Sequence, residues 1–86
     1  MKVGEIDLIA RRGHVLVFVE VKARGDFATA ADSVSHHQRR RITRAARAFL
    51  ASRPELGNLD IRFDVMLVSP LRLPRHITDA WREGWL

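Results

Sequence analysis

The chain has 86 residues, with 15 Lys and Arg against 10 Asp and Glu, for a formal net charge of +5 at pH 7. That length holds one small domain, and a hydrophobic content of 47% argues for a folded chain. The lack of cysteine excludes disulfides and thiolate metal sites, and no apolar run approaches the roughly 20 residues of a membrane span.

The first predicted element is a strand, EIDLIA, from Glu5 to Ala10. ARRGH follows, with Gly13 as its turn signal, and VLVFVEVK from Val15 to Lys22 reads as a second strand. Its near-continuous apolar run implies cover on both faces, and the short connection implies an antiparallel hairpin. KARGDFATAADS shows no period and is expected to be a loop. From Ser35 to Ser52 the period becomes helical, with Ile42, Ala45, Ala46, Phe49 and Leu50 forming one apolar stripe. Ser33 or Ser35 is expected to cap the helix, and Pro54 stops it. Asp60–Val68 is a third strand, which after a helical crossover can lie parallel to a strand of the hairpin. Beyond Pro70 the pattern weakens. HITDAWREGWL is expected to give a short strand and then a terminal turn or helix, with two tryptophans that need burial.

The second strand carries two charges in an apolar run. Alternation puts Leu16, Phe18, Glu20 and Lys22 on one face. A two- or four-residue hairpin loop puts Asp7 on that face as well. A loop over residues 11–14 sets Asp7 opposite Phe18, and a loop of Gly13 and His14 alone sets it opposite Glu20. Two carboxylates on a half-buried face repel unless a cation lies between them. A hard divalent ion such as Mg²⁺ suits them, because it is commonly held by one or two carboxylates, water and substrate phosphate. Lys22 can then reach a phosphate or the attacking water. The pattern D-x12-E-x-K therefore points to metal-assisted phosphodiester hydrolysis. Glu5 is a further acid on the same face. Asp64 is expected to be a structural carboxylate paired with an arginine, and His76 a structural histidine.

The helix has no acid, and Arg39, Arg40, Arg41, Arg44 and Arg47 give it five positive charges. Arg40, Arg44 and Arg47 lie away from the apolar stripe and suit nucleic-acid phosphates. A solvated helix face is the alternative for such a run. Gln38 sits one turn before Ile42 and either meets the metal face or ends the stripe. His36 and His37 belong to the start of the helix rather than to a ligand set.

GEIDLIA, VFVEVK, QRRRITRAARAFLA and RFDVMLV, in that order, resemble the bacterial YraN-like family over nearly the whole chain, from Val3 to about Trp81. That family is similar to archaeal Holliday-junction resolvases within the PD-(D/E)XK nuclease-like superfamily. The resemblance implies an α/β, restriction-endonuclease-like mixed β-sheet with flanking helices. Asp7 matches the metal-binding aspartate, Glu20 the second acid and Lys22 the motif lysine, with Gln38 a looser match to a polar helix residue. Mg²⁺ or Mn²⁺ is the implied cofactor, and DNA the implied partner of Arg39, Arg40, Arg44 and Arg47. The resemblance implies a helix ahead of GEID, and this chain, which starts at MKVGEID, is expected to be an N-terminally shortened form. The apolar face so opened is expected to be closed by a homodimer. A cytoplasmic location is expected, with no membrane partner. Three functions fit: a metal-dependent nuclease-like domain, a binding module with the same fold and no turnover, and a structural protein whose acids and arginines pair internally.

Overall fold

Gly13 adopts a positive φ of 57° and with His14 closes a two-residue turn between Arg12 and Val15. A positive φ at the first central position is the type II′ arrangement, whose twist matches that of paired strands. The computed structural model describes residues 5–23 and 34–85. Their elements are β1 (Leu8–Arg12), β2 (Val15–Ala23), α1 (His36–Ala51), β3 (Asp60–Ser69) and β4 (Arg72–Trp81). Short 3₁₀ turns lie at Pro54–Leu56 and Glu83–Trp85. The strands form one mixed sheet in the order β1-β2-β3-β4, with β2 and β3 parallel and the other pairs antiparallel.

Two expected boundaries move. The first strand runs over Leu8–Arg12 rather than Glu5–Ala10, because the tight turn keeps Arg11 and Arg12 in the ladder and the chain bends at Asp7. That bend lets Ile6 enter the core, where it is almost fully buried. The last strand begins at Arg72, well before His76. Pro74 is tolerated within it because β4 is an edge strand, where a missing N–H costs no ladder bond. The expected loop beyond Ala23, the alternative cap Ser33, the segment before Glu5 and the side chain of Trp85 lie outside the described residues.

α1 starts at a capping box. Ser35 Oγ accepts a hydrogen bond from the Gln38 amide (3.1 Å), and Gln38 Oε1 accepts one from the Ser35 amide (3.2 Å). Two of the helix's orphan donors are thereby satisfied. Ile42, Ala46 and Phe49 are buried, with Ala45 and Leu50 packed beside them. Thr43 also faces inward. Its hydroxyl donates to the Arg39 carbonyl (2.8 Å) and accepts from Trp81 Nε1 (3.2 Å), which locks helix to sheet.

The centre of the sheet is a row of rings. Ile9, Phe18, Phe63 and Trp81 pair across the four strands. Phe18 stacks on Phe63 with centroids 5.6 Å apart, and Phe63 on Trp81 at 5.0 Å. Phe49 of α1 meets Phe18 edge-on at 6.1 Å. Both arrangements suit the ring quadrupoles and contribute beyond the area buried.

The opposite face is organised by Asp64, which is fully buried. Arg62 donates to it twice, from Nε to Oδ1 (2.8 Å) and from an Nη to Oδ2 (2.9 Å). His76 Nε2 lies 2.7 Å from Oδ2, and the Asp79 amide donates to Oδ1 at 3.0 Å. Burial pushes the Asp64 carboxyl up, but the bonds from Arg62, Asp79 and His76 and the charge of Arg62 outweigh it and hold it below its ordinary value. The same bonds fix the irregular stretch of β4 between the Trp81 and Ile77 pairings, where Asp79 takes a φ of 52°. Such a φ in a non-glycine residue needs local support.

Two losses of stability are expected. Phe18→Ala should cost about 3–5 kcal/mol by opening a cavity at the ring row. Asp64→Asn should cost about 3 kcal/mol by leaving Arg62 without its carboxylate. Urea unfolding should show both as lower midpoints.

Candidate functional site

The hairpin register decides between the two placements of Asp7. The ladder ends at the Leu8–Val19 pair, the register of a loop made of Gly13 and His14 alone, and just beyond it the side chains of Asp7 and Glu20 share a hydrogen bond. Asp7 Oδ2 accepts a hydrogen bond from the Val21 amide at 3.0 Å, which fixes its carboxylate beside β2. Lys22 Nζ lies 3.8 Å from Glu20 Oε1, and both side chains are mostly buried. Asp7, Glu20 and Lys22 are therefore neighbours on one patch at the end of the hairpin.

The patch is electrostatically unsettled. The Glu20 carboxyl is pushed up from an ordinary 4.5 to about 7. Burial is the largest cause, followed by the side-chain hydrogen bond with Asp7 and the negative charge of Asp7; Lys22 only partly offsets them, and Glu5 adds a little more. Two carboxyl groups that share a hydrogen bond hold a proton between them or need a cation in its place. Among the described residues no group of three or more His, Asp or Glu comes together as a metal site. Among the described residues the carboxylates that come together here are Asp7 and Glu20, and such a pair would suit an ion that keeps water and takes phosphate oxygens as its remaining ligands. A hollow of about 550 Å³ lies elsewhere, between α1 and the end of β4, and is lined by Thr43, Arg47, Asp79 and Trp81 rather than by the acid pair.

The other candidate residues disperse. Gln38 is engaged in the capping box. Arg39 is half-buried, donates from Nε to the Val34 carbonyl (2.9 Å) and lies 5.8 Å from the ring centroid of Trp81. Arg47 pairs with Glu83, and Arg41 with Glu5. Arg40 and Arg44 are exposed, with no ion pair among the described residues. His36 and His37 lie exposed in the first turn of α1. Asp64 is paired with Arg62 as expected, and His76, read as an isolated structural residue, is one of its partners. The period-2 pattern of β4 is the signal that could have placed His76 on that face, but Pro74 obscured it.

Comparisons with known proteins agree with the motif order. Residues 1–68 match the uncharacterised protein family UPF0102. A UPF0102 protein of Paramagnetospirillum magneticum is 60% identical over 79 residues, covering 92% of this chain and 61% of that protein. A UPF0102 protein of Parvibaculum lavamentivorans is 53% identical over 79 residues, covering 92% of this chain and 59% of that one. One from Maricaulis maris is 54% identical over 81 residues, covering 94% and 64%. The chain thus spans about three-fifths of the length of these bacterial relatives. With most of its residues matched and its motifs in order, this chain belongs to the YraN-like family UPF0102.

Proposed function

We propose that this chain is the nucleic-acid-binding, metal-dependent phosphodiesterase core of its protein, acting on DNA. The observation that carries the reading is the meeting of Asp7 and Glu20, with Lys22 beside them, on one half-buried sheet patch. On this reading the β1–β2 hairpin, the α1 crossover and the parallel β3 form the core of a restriction-endonuclease-like, PD-(D/E)XK fold related to Holliday-junction resolvases.

Asp7 and Glu20 would hold a Mg²⁺ or Mn²⁺ ion. A bound ion would supply Lewis-acid polarisation of a phosphoryl oxygen and a water more acidic than bulk water. The residues themselves do the rest. The Val21 amide holds Asp7 in place, so its carboxylate is pre-aimed at Glu20. Lys22 offsets part of the charge on Glu20 and offers its ammonium to a phosphate oxygen. Arg40 and Arg44 add sequence-independent phosphate contacts. A second reading, a structural domain without turnover, is favoured by the pairing of Arg41 with Glu5 and Arg47 with Glu83.

Cleavage separates the two. With Mg²⁺ or Mn²⁺, wild type should cut linear, flap or four-way-junction DNA. Asp7→Ala and Glu20→Ala should abolish cutting, and Lys22→Ala should lower kcat by about 100-fold. No cutting by wild type, or cutting by the acid variants at the wild-type rate, overturns the catalytic reading and leaves a binding or structural domain without turnover. A readout independent of turnover follows from Glu20. Its folded pKa, about 7, lies above its ordinary 4.5, so the folded state holds a proton that the unfolded chain gives up between these values. In chelator, the melting temperature should therefore fall as pH rises across that window and level off above it. Glu20→Gln should flatten the fall. Millimolar Mg²⁺ or Mn²⁺ should restore wild type above pH 7 and leave Glu20→Gln unmoved.

A further inference from the structure

The sheet register continues past the acid pair onto a strand that the proposed chemistry has not used. Lys22 pairs with Leu67 on β3, and Leu67 pairs with Arg75 on β4. Directly paired residues share a face, so Lys22 and Arg75 project to the same side, two strand spacings or about 10 Å apart. Beyond the irregularity that follows, Ser69 pairs with Arg72. Ser69 shares the face of Leu67 by alternation, so Arg72 returns to that side too. Lys22, Arg75 and Arg72 thus make a cationic line from the acid pair to the tip of the β3–β4 hairpin. Residues 65–78 contain no acid.

The tip is as unusual as the line. Leu71 is 95% exposed and Leu73 is 88% exposed, each next to Arg72. Pro70 precedes the first and Pro74 follows the second, so the backbone that presents them is stiff. Two neighbouring leucines held in water beside arginines suit a partner with both anionic and flat apolar surface. A second copy would bring the same arginines to the contact and offer no acid from within the hairpin. A nucleic-acid strand offers phosphates to the arginines and base faces to the leucines, and apolar side chains do enter between unstacked bases.

We infer that the end of the β3–β4 hairpin is the arm that holds the substrate, with Arg75 and Arg72 carrying the phosphate backbone away from Lys22 and with Leu71 and Leu73 packing against unpaired bases. The arm selects DNA with an overhang or branch over blunt duplex. The inference rests on the reading of the Asp7–Glu20 patch as a phosphodiester site.

The test is fluorescence anisotropy with the full chain on three DNAs: a blunt duplex, the same duplex with a single-stranded overhang, and a four-way junction. Leu71→Ser/Leu73→Ser alters side chains outside the core, and thermal melts check that it folds. It should weaken overhang and junction binding about tenfold and leave blunt-duplex binding unchanged, as expected for lost base contacts. Arg72→Ala/Arg75→Ala should weaken binding to all three and lower the slope of log affinity against log salt by about 2, for two phosphates released. Unchanged affinities in both variants overturn the arm and leave the acid-patch reading standing. A wild type that binds no DNA at low salt overturns both. Loss of self-association in the leucine variant with DNA affinity kept makes the tip a contact between copies. Loss of binding to vesicles of anionic lipid with DNA affinity kept makes it a membrane contact. Either result overturns the inference.

Discussion

Stacking of Phe18, Phe63 and Trp81 across three strands constrains everything built on this sheet. Rings stack across a sheet only when their residues are in register, and Phe49 of α1 closes over the row from above. A slip of one residue would turn Phe18 to the opposite face and bring Val17 or Val19 under the helix. With the row fixed, the rows on either side are fixed too. One holds Glu20 beside Val65 and Ile77, and the next holds Lys22, Leu67 and Arg75. The candidate chemistry therefore inherits its geometry from packing some 7–14 Å away along the strands.

Two carboxylates in this small sheet have pKa values shifted in opposite directions, and the contrast shows what each face does. Asp64 is fully buried, yet its bonds to Arg62, His76 and the Asp79 amide keep it charged and make it a structural knot. Glu20 is less buried, but its nearest titratable neighbours are another carboxyl and one lysine, so its charged form is disfavoured near neutrality. Burial opposes charge in both. The partners decide the sign. A carboxylate with several strong partners has little left to offer a ligand, while Glu20 retains a cost that a proton or a cation can relieve.

The arginines divide in the same way. Composition treats the five on α1 as one basic face. In the fold, Arg39 packs near Trp81 and bonds the Val34 carbonyl, and Arg41 and Arg47 face acids from distant parts of the chain. Charge counted along a helix overstates what is presented to a partner, because surface ion pairs draw on the same side chains. Lys22, Arg75 and Arg72 differ in how they are brought together: scattered in sequence, they are gathered by strand pairing.

Much of the molecule is written locally. The alternation of VLVFVEVK, the stripe from Ile42 to Leu50, the Ser35 cap and the turn at Gly13 are short-range signals, and the hairpin, the helix and the parallel third strand follow from them. The shared face of Asp7, Glu20 and Lys22 was legible for the same reason, since a period of two and a short turn are local facts. Whether Asp7 faced Phe18 or Glu20 was not local: it depended on Arg11 and Arg12 staying in the ladder. The second half of β4 was legible from His76 onward, but its first half, from Arg72, was hidden because Pro74 and two exposed leucines break the pattern that a strand leaves in sequence. The sequence by itself determined which elements form and which faces carry charge. Only the tertiary structure decided that His76 and Arg62 converge on Asp64, that Thr43 meets Trp81, and that Arg75 lies in the row of Lys22. Each of these depends on strand order and register, which the core sets through contacts between residues far apart in the chain.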